Sequence, residues 1–331
     1  MITESSFSKD MLKIDCDREV KKIIDAIRKA VLKQFKKRGA VVALSGGIDS
    51  SVVGALCVRS LGKERLLGLL MPERDSASET QELGHLISEH LDISTVREDI
   101  TAVLDAVGCY QRRDEAIKKV IPEYGPGYKC KIVLPSVMDD DRYRIFSVIA
   151  QSPEGKQIKS RLTPTSYLGI VAATSFKQRT RKMLEYYHAD RLNYAVAGTP
   201  NRQEYDQGFF VKLGDGAADI KPIAHLYKTQ VYQMAEFLGI PDEIRKRPPT
   251  TDTYPMQQSQ EEFYFSVPYD KMDLCLYGKN HGFSTEEVAV EADMTAEQVE
   301  RVYRDIDAKR NATRYLHTPP LLVDKVDEIL F

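Results

Sequence analysis

The segment Ser45-Gly46-Gly47-Ile48-Asp49-Ser50 gathers residue types that can hold a phosphate. Two successive glycines let the backbone turn tightly and aim several N–H groups at one point. A helix beginning there adds the positive end of its dipole. Ser45, Ser50 and Ser51 supply hydroxyl donors beside it. Asp49 is out of character in an anion site unless a cation intervenes. A carboxylate at this point can hold Mg2+ that bridges phosphate oxygens, an ion commonly bound through one or two carboxylates. The segment is neither GxxxxGK[ST] nor GxGxxG, so neither of those two phosphate loops is present. A plain tight turn with Asp49 as a helix cap would use the same residues. Elsewhere the five cysteines (Cys16, Cys57, Cys109, Cys130, Cys275) form no CxxC pair and the six histidines no HExxH. That spacing predicts reduced thiols in a cytoplasm and no structural metal.

The loop needs a strand before it and a helix after it, and the flanking residues supply both. Residues 40–44 are an unbroken apolar run of the kind found in buried parallel strands, and 50–61 read as a helix. Before them, Val20, Ile23, Ile24, Ile27, Val31 and Phe35 recur at helical spacing over residues 18–37, with Asp17 placed to cap and Gly39 to stop. After them come an apolar run at 66–71 and a helix opening at Ser78, with Gln81 at capping-box distance. Later, a helix over about 167–189 precedes a buried strand at 194–197. Residues 227–238 and 295–310 read as further helices, the last capped by Thr295 with Gln298 three residues on. Strand–turn–helix–strand–helix order predicts an α/β fold, a doubly wound and mostly parallel sheet flanked by helices, Rossmann-like. Residues 109–165, with Gly125-Pro126-Gly127, the polar run 139–142 and a β-like piece at 144–150, fit that rhythm poorly. They read as an insertion or lid within one domain spanning 1–331, and 256–331 as a C-terminal helical region.

Composition narrows the function classes. Of 331 residues, 42% are hydrophobic, and 47 basic side chains against 49 acidic leave a net charge of −2. A protein built chiefly to bind nucleic acid would be more basic. No apolar stretch approaches the roughly 20 residues of a membrane span, and the first residues, Met-Ile-Thr-Glu-Ser, do not resemble a secretion signal. A soluble cytoplasmic protein without membrane or nucleic-acid partners is expected.

The SGGIDS loop after its strand resembles the pyrophosphate loop of the N-type ATP pyrophosphatases, a superfamily including NAD synthase, GMP synthetase and argininosuccinate synthetase. A second string resembles the core of NAD synthase more narrowly: Gly198-Thr199 through Glu204, then Phe209-Phe210-Val211-Lys212-Leu213-Gly214-Asp215-Gly216-Ala217-Ala218-Asp219, then Leu226-Tyr227-Lys228-Thr229-Gln230. Pro249-Thr250-Thr251-Asp252, Met71-Pro72 with Ser76, and the arginine pair Arg179 and Arg181 match further family steps. Singly, Lys212 and Lys228 read as solvated lysines and Asp215 and Asp219 as turn residues; together they keep the family's order and spacing.

The resemblance implies an adenine nucleotide alpha-hydrolase-like fold and a ligase that splits ATP between its α- and β-phosphates, adenylates a carboxylate and lets ammonia displace AMP. By resemblance, Ala43, Leu44, Ser45, Gly46, Gly47, Ile48, Asp49, Ser50, Thr199, Lys228 and Thr250 bind ATP. Asp49 and Glu204 hold magnesium, Asp49 and Lys228 act in catalysis, and Arg181, Lys212 and Asp219 meet deamido-NAD. A homodimer is likewise implied. With the synthase core accounted for, too little of the chain remains for a glutaminase domain, so ammonia is expected free or from a partner.

Three departures all touch the carboxylate side. Residues 109–164 are longer than the family's usual stretch. The NxxARxR helix reads Ser175-Phe176-Lys177-Gln178-Arg179-Thr180-Arg181, and a C-terminal His-Lys-Arg motif is reduced to Thr313-Arg314-Tyr315. A paralogue amidating another carboxylate therefore stands as the alternative, and a nucleotide sensor without turnover as a more distant one.

Overall fold

In the computed structural model, the described residues are 6–136, 145–251, 253–324 and 326–327; the polar run at 139–142 and Asp252 lie outside them. Helix α1 (Cys16–Arg28) runs on into a π-helical segment, Lys29–Gln34. Its cap is Asp15 rather than Asp17, because the chain is already helical at Cys16; Asp15 accepts the Arg18 N–H at 3.1 Å. Strand β1 (Ala40–Ala43) feeds α2 (Ile48–Leu61), then β2 (Leu66–Leu70), α3 (Ser78–His90) and β3 (Ser94–Arg97). Ser78 is the first residue of α3 and not its cap, a place taken by Ala77, which makes no side-chain capping bond.

Two helices, α4 (Thr101–Ala106) and α5 (Cys109–Lys118), lead to an antiparallel sheet of β4 (Lys129–Val133), β5 (Ser147–Gln151) and β6 (Gln157–Arg161). The long α6 (Pro164–Leu192), capped by Thr163, returns the chain to β7 (Ala195–Ala197). The main sheet has the order β3-β2-β1-β7, parallel throughout. Order reverses between β1 and β7. In such sheets the crevice beyond the carboxyl ends of the two strands at the reversal is where ligands bind.

Both faces of β1 are covered, which explains its continuous apolar sequence. Ala40, Val42 and Leu44 pack with α1, α2 and α8 (Lys228–Leu238), and Val41 faces the opposite layer with Leu104, Tyr110 and Ala189. Before α8 comes α7 (Arg202–Gln207), and after it α9 (Asp242–Arg245). The chain ends in α10 (Tyr269–His281), α11 (Thr285–Ala292) and α12 (Ala296–Thr313), which enclose an apolar cluster of their own. The Thr295–Gln298 capping box is present. No helix among the described residues is long and apolar enough to cross a membrane.

Candidate active site

A cavity of about 1010 Å3 opens at the β1–β7 reversal. The glycine loop forms one end. Gly46 has φ +68°, and a Cβ there would lie 2.7 Å from Leu83 Cβ and 2.9 Å from the Gly84 nitrogen, so glycine is required where α3 presses on the turn. The Ser50 and Ser51 hydroxyls donate to the Gly47 carbonyl at 3.0 and 2.8 Å. These two hydroxyls thus brace the loop, and Ser50 also lines the cavity. Ser45 is exposed and borders the cavity with Gly47 and Asp49.

Two elements bring their side chains to Asp49. The Lys228 ammonium, at the start of α8, pairs with Asp49 Oδ2, and the Asn201 amide donates to Asp49 Oδ1 at 3.1 Å. Asn201 also caps α7: its side chain accepts the Glu204 N–H at 3.2 Å, while Glu204 Oε2 accepts the Asn201 N–H at 3.1 Å. Glu204 Oε1 accepts from Gln260 at 3.0 Å. Burial, and then the negative Asp49, push the Glu204 carboxyl well above the usual carboxylate range. Burial alone would lower the Lys228 ammonium, but the Asp49 and Glu204 carboxylates outweigh it and raise its pKa.

Two crowded carboxylates beside the glycine loop fit a divalent cation. Among the described residues no group of three or more His, Cys, Asp or Glu side chains forms a ready-made cage. The pair therefore suits an ion that completes its shell with phosphate oxygens and water, as Mg2+ does. Thr199, at the end of β7, and Thr250 line the same cavity, as do Ala43, Leu44 and Ile48.

The far end carries Arg179, Arg181, Lys182 and Lys212 against Glu185 and Asp215, a surplus of positive charge. Lys182 and Glu185 form a buried pair at 2.6 Å. Arg181 donates to the Met71 carbonyl at 3.3 Å, and the Lys212 ammonium donates to the Tyr315 and Thr318 carbonyls at 2.8 and 3.2 Å. Asp219 stands apart from the cavity lining. It accepts the Val196 N–H at 2.7 Å and the Tyr186 hydroxyl at 3.3 Å.

A buried ionic network behind this end has no counterpart in the sequence reading. Lys177 donates to Glu73 (2.7 Å), Asp75 (2.9 Å) and the Thr253 carbonyl (2.8 Å), and Arg113 binds Asp75 at 2.6 Å. The Tyr110 hydroxyl donates to Glu73 at 2.6 Å. Together they tie the loop after β2 to α5, α6 and the segment following Thr250. Lys177 lies in the departed NxxARxR helix, where a lysine four residues before Arg181 gave no sign of burial. Asn201 and Glu204, by contrast, have capping-box spacing that the sequence displays openly.

The family model for NAD synthase matches residues 19–121 and 147–314, leaving out 122–146 with strand β4 of the antiparallel sheet. An NH(3)-dependent NAD(+) synthetase of Rhizobium meliloti is 60% identical over 323 residues, 98% of this chain and 96% of that protein. One from Thermotoga maritima is 32% identical, covering 90% of this chain and 97% of its own. Among solved structures, an NMN synthetase from Francisella tularensis (TM-score 0.66, 20% identity, 95% and 100% coverage) and an NH3-dependent NAD synthetase from Campylobacter jejuni (TM-score 0.61, 21% identity, 94% and 100%) share the fold. With the glycine loop and its conjoined acid–lysine–acid group at the sheet crevice, this chain belongs to the NAD synthase family.

Proposed function

We propose that the protein is an ammonia-dependent NAD synthase. A carboxylate oxygen of deamido-NAD attacks the α-phosphorus of ATP, the α–β bond breaks, and pyrophosphate leaves. Ammonia then attacks the acyl carbon, the bond to AMP breaks, and NAD, AMP and a proton are released. The observation that carries this reading is the meeting of the glycine loop, Asp49, Lys228 and Glu204 in one cavity whose other end is cationic.

Each group has a task in that scheme. The loop amides and the start of α2 receive the departing pyrophosphate. Lys228, held cationic, offsets charge where two anions must approach each other. Asp49 and Glu204 would hold Mg2+, which supplies electrostatic neutralisation of the phosphates. Thr199 and Thr250 would meet the nucleotide, and Arg181 and Lys212 the dinucleotide; Asp219 would act at most by steadying the wall through Val196. Residues 109–165 serve as an insertion or lid that contributes Leu134 and Phe146 to the cavity wall. The whole chain reads as one domain, with 256–331 as a helical region that buttresses α7 and α8.

A cytoplasmic homodimer completes the proposal. Met183 and Tyr187, one turn apart, leave a short apolar stripe exposed on α6, a surface suited to a second copy. The test is pyrophosphate release with ATP, Mg2+ and ammonium, supplied in turn with deamido-NAD and other small carboxylates. Release that depends on deamido-NAD and stops with chelator is expected. Release only with a different acid overturns the substrate, and ATP binding without release for any acid overturns the enzyme.

A further inference from the structure

Asp273 lies in the middle of α10, fully buried and outside the cavity, yet its bonds lead to both elements that serve Asp49. Its Oδ2 accepts the Thr229 N–H at 2.6 Å and its Oδ1 the Lys228 N–H at 3.2 Å, so it caps α8 from another helix. The residue at the natural cap position, Tyr227, offers no short side-chain acceptor for those amides. Asp273 Oδ1 also accepts from Gln203 Nε2 at 2.7 Å, and that same amide donates to the Tyr269 carbonyl at 2.7 Å. Gln203 sits in α7 between Asn201 and Glu204. Asp273 makes no ion pair among the described residues; its partners are N–H groups, two of them at a helix N-terminus, where the dipole favours negative charge.

We infer that Asp273 is a positioning residue for the adenylation site. One buried carboxylate fixes the first turn of α8, which aims Lys228, and the first turn of α7, which aims Asn201 and Glu204. Helix α10 thereby sets the geometry of a cavity that it does not itself line. This inference rests on the roles given above to Asp49 and Lys228. A buried acid without a cation is costly to keep, and burial raises its pKa to about 6. A merely structural capping task would be met as well by an uncharged residue.

The experiment compares Asp273→Asn, Gln203→Met and Asp49→Asn with the natural protein, each checked for folding by circular dichroism. ATP affinity is measured by calorimetry, and kcat and KM for both substrates are measured separately. Asparagine keeps one acceptor oxygen, so the variant is expected to fold and bind ATP, with kcat down by about tenfold to a hundredfold and KM for deamido-NAD unchanged. Gln203→Met, which cuts only the link to α7, is expected to lower kcat less. If kcat per folded molecule stays at the natural level in Asp273→Asn, the inference falls. Should that variant not fold, an unaltered kcat in Gln203→Met overturns it instead. An active Asp49→Asn overturns the underlying site reading, and is told apart because it leaves every bond of Asp273 intact.

Discussion

Asp49 is the residue at which the loop, α7 and α8 meet, and its carboxylate serves two cations in turn: the Lys228 ammonium seen here and the proposed magnesium ion. Asparagine in its place keeps the shape and the Asn201 contact but removes the charge. Asp49→Asn is expected to lower turnover by about a thousandfold while the melting temperature holds, read by pyrophosphate release beside calorimetry. Asp273 gives a pH signature of a different kind. Burial raises its pKa from 3.8 to about 6, so the fold favours its protonated form. Its stabilising contribution is full below about pH 4 and is lost as the pH climbs through 6. Asparagine has no proton to lose. Relative to the natural protein, Asp273→Asn should therefore gain stability between pH 4 and 7; denaturant melts across that range measure the difference, and a flat difference contradicts the shift.

At the level of elements, the part of the molecule that could be read from sequence is the part governed by local signals. The apolar run at 40–44 announced β1 because both of its faces are buried, and Thr295 with Gln298 announced α12 because capping is a matter of three residues. The antiparallel sheet was less legible. β6 alternates exposed and half-covered residues in the polar string Gln157–Arg161, which carries little of the strand pattern. The Lys177 network was illegible because its directly bonded partners lie up to 104 residues apart, and burial of a lysine depends on what the fold sets around it. That network is also where this scale makes its prediction. Lys177→Met leaves Glu73 and Asp75 buried with less compensation, and breaking such a group costs about 3–5 kcal/mol. The expected outcome is a clear loss in chemical denaturation, with ATP affinity in the surviving folded protein falling because the loop after β2 loses its tie to the segment beyond Thr250.

Across the whole molecule, four of the five thiols are buried, one in each of four apolar clusters: Cys57 behind the main sheet, Cys109 on its other face, Cys130 in the antiparallel sheet and Cys275 among the C-terminal helices. Burial drives Cys57 and Cys275 to about 12, so neither is a thiolate at neutral pH. Only the partly exposed Cys16 is expected to react with an alkylating reagent under native conditions. In rising denaturant, the order in which the others label, followed by peptide mass spectrometry, reports which cluster opens first; simultaneous labelling of all four would mean a single cooperative unit. The stripe on α6 makes its own prediction. Met183→Glu places a charge on a side chain 56% exposed in the monomer and is expected to halve the mass measured by light scattering while the monomer stays folded.

Of the described residues in the stretch 122–146, which the family model skips, Leu134 and Phe146 line the cavity. The glycine loop, Asp49 and Asn201, by contrast, follow directly on strands β1 and β7 of the parallel sheet. None of the bonds that Asp49 makes to Lys228 and Asn201 involves that stretch, so the cavity wall can be recut there without touching them.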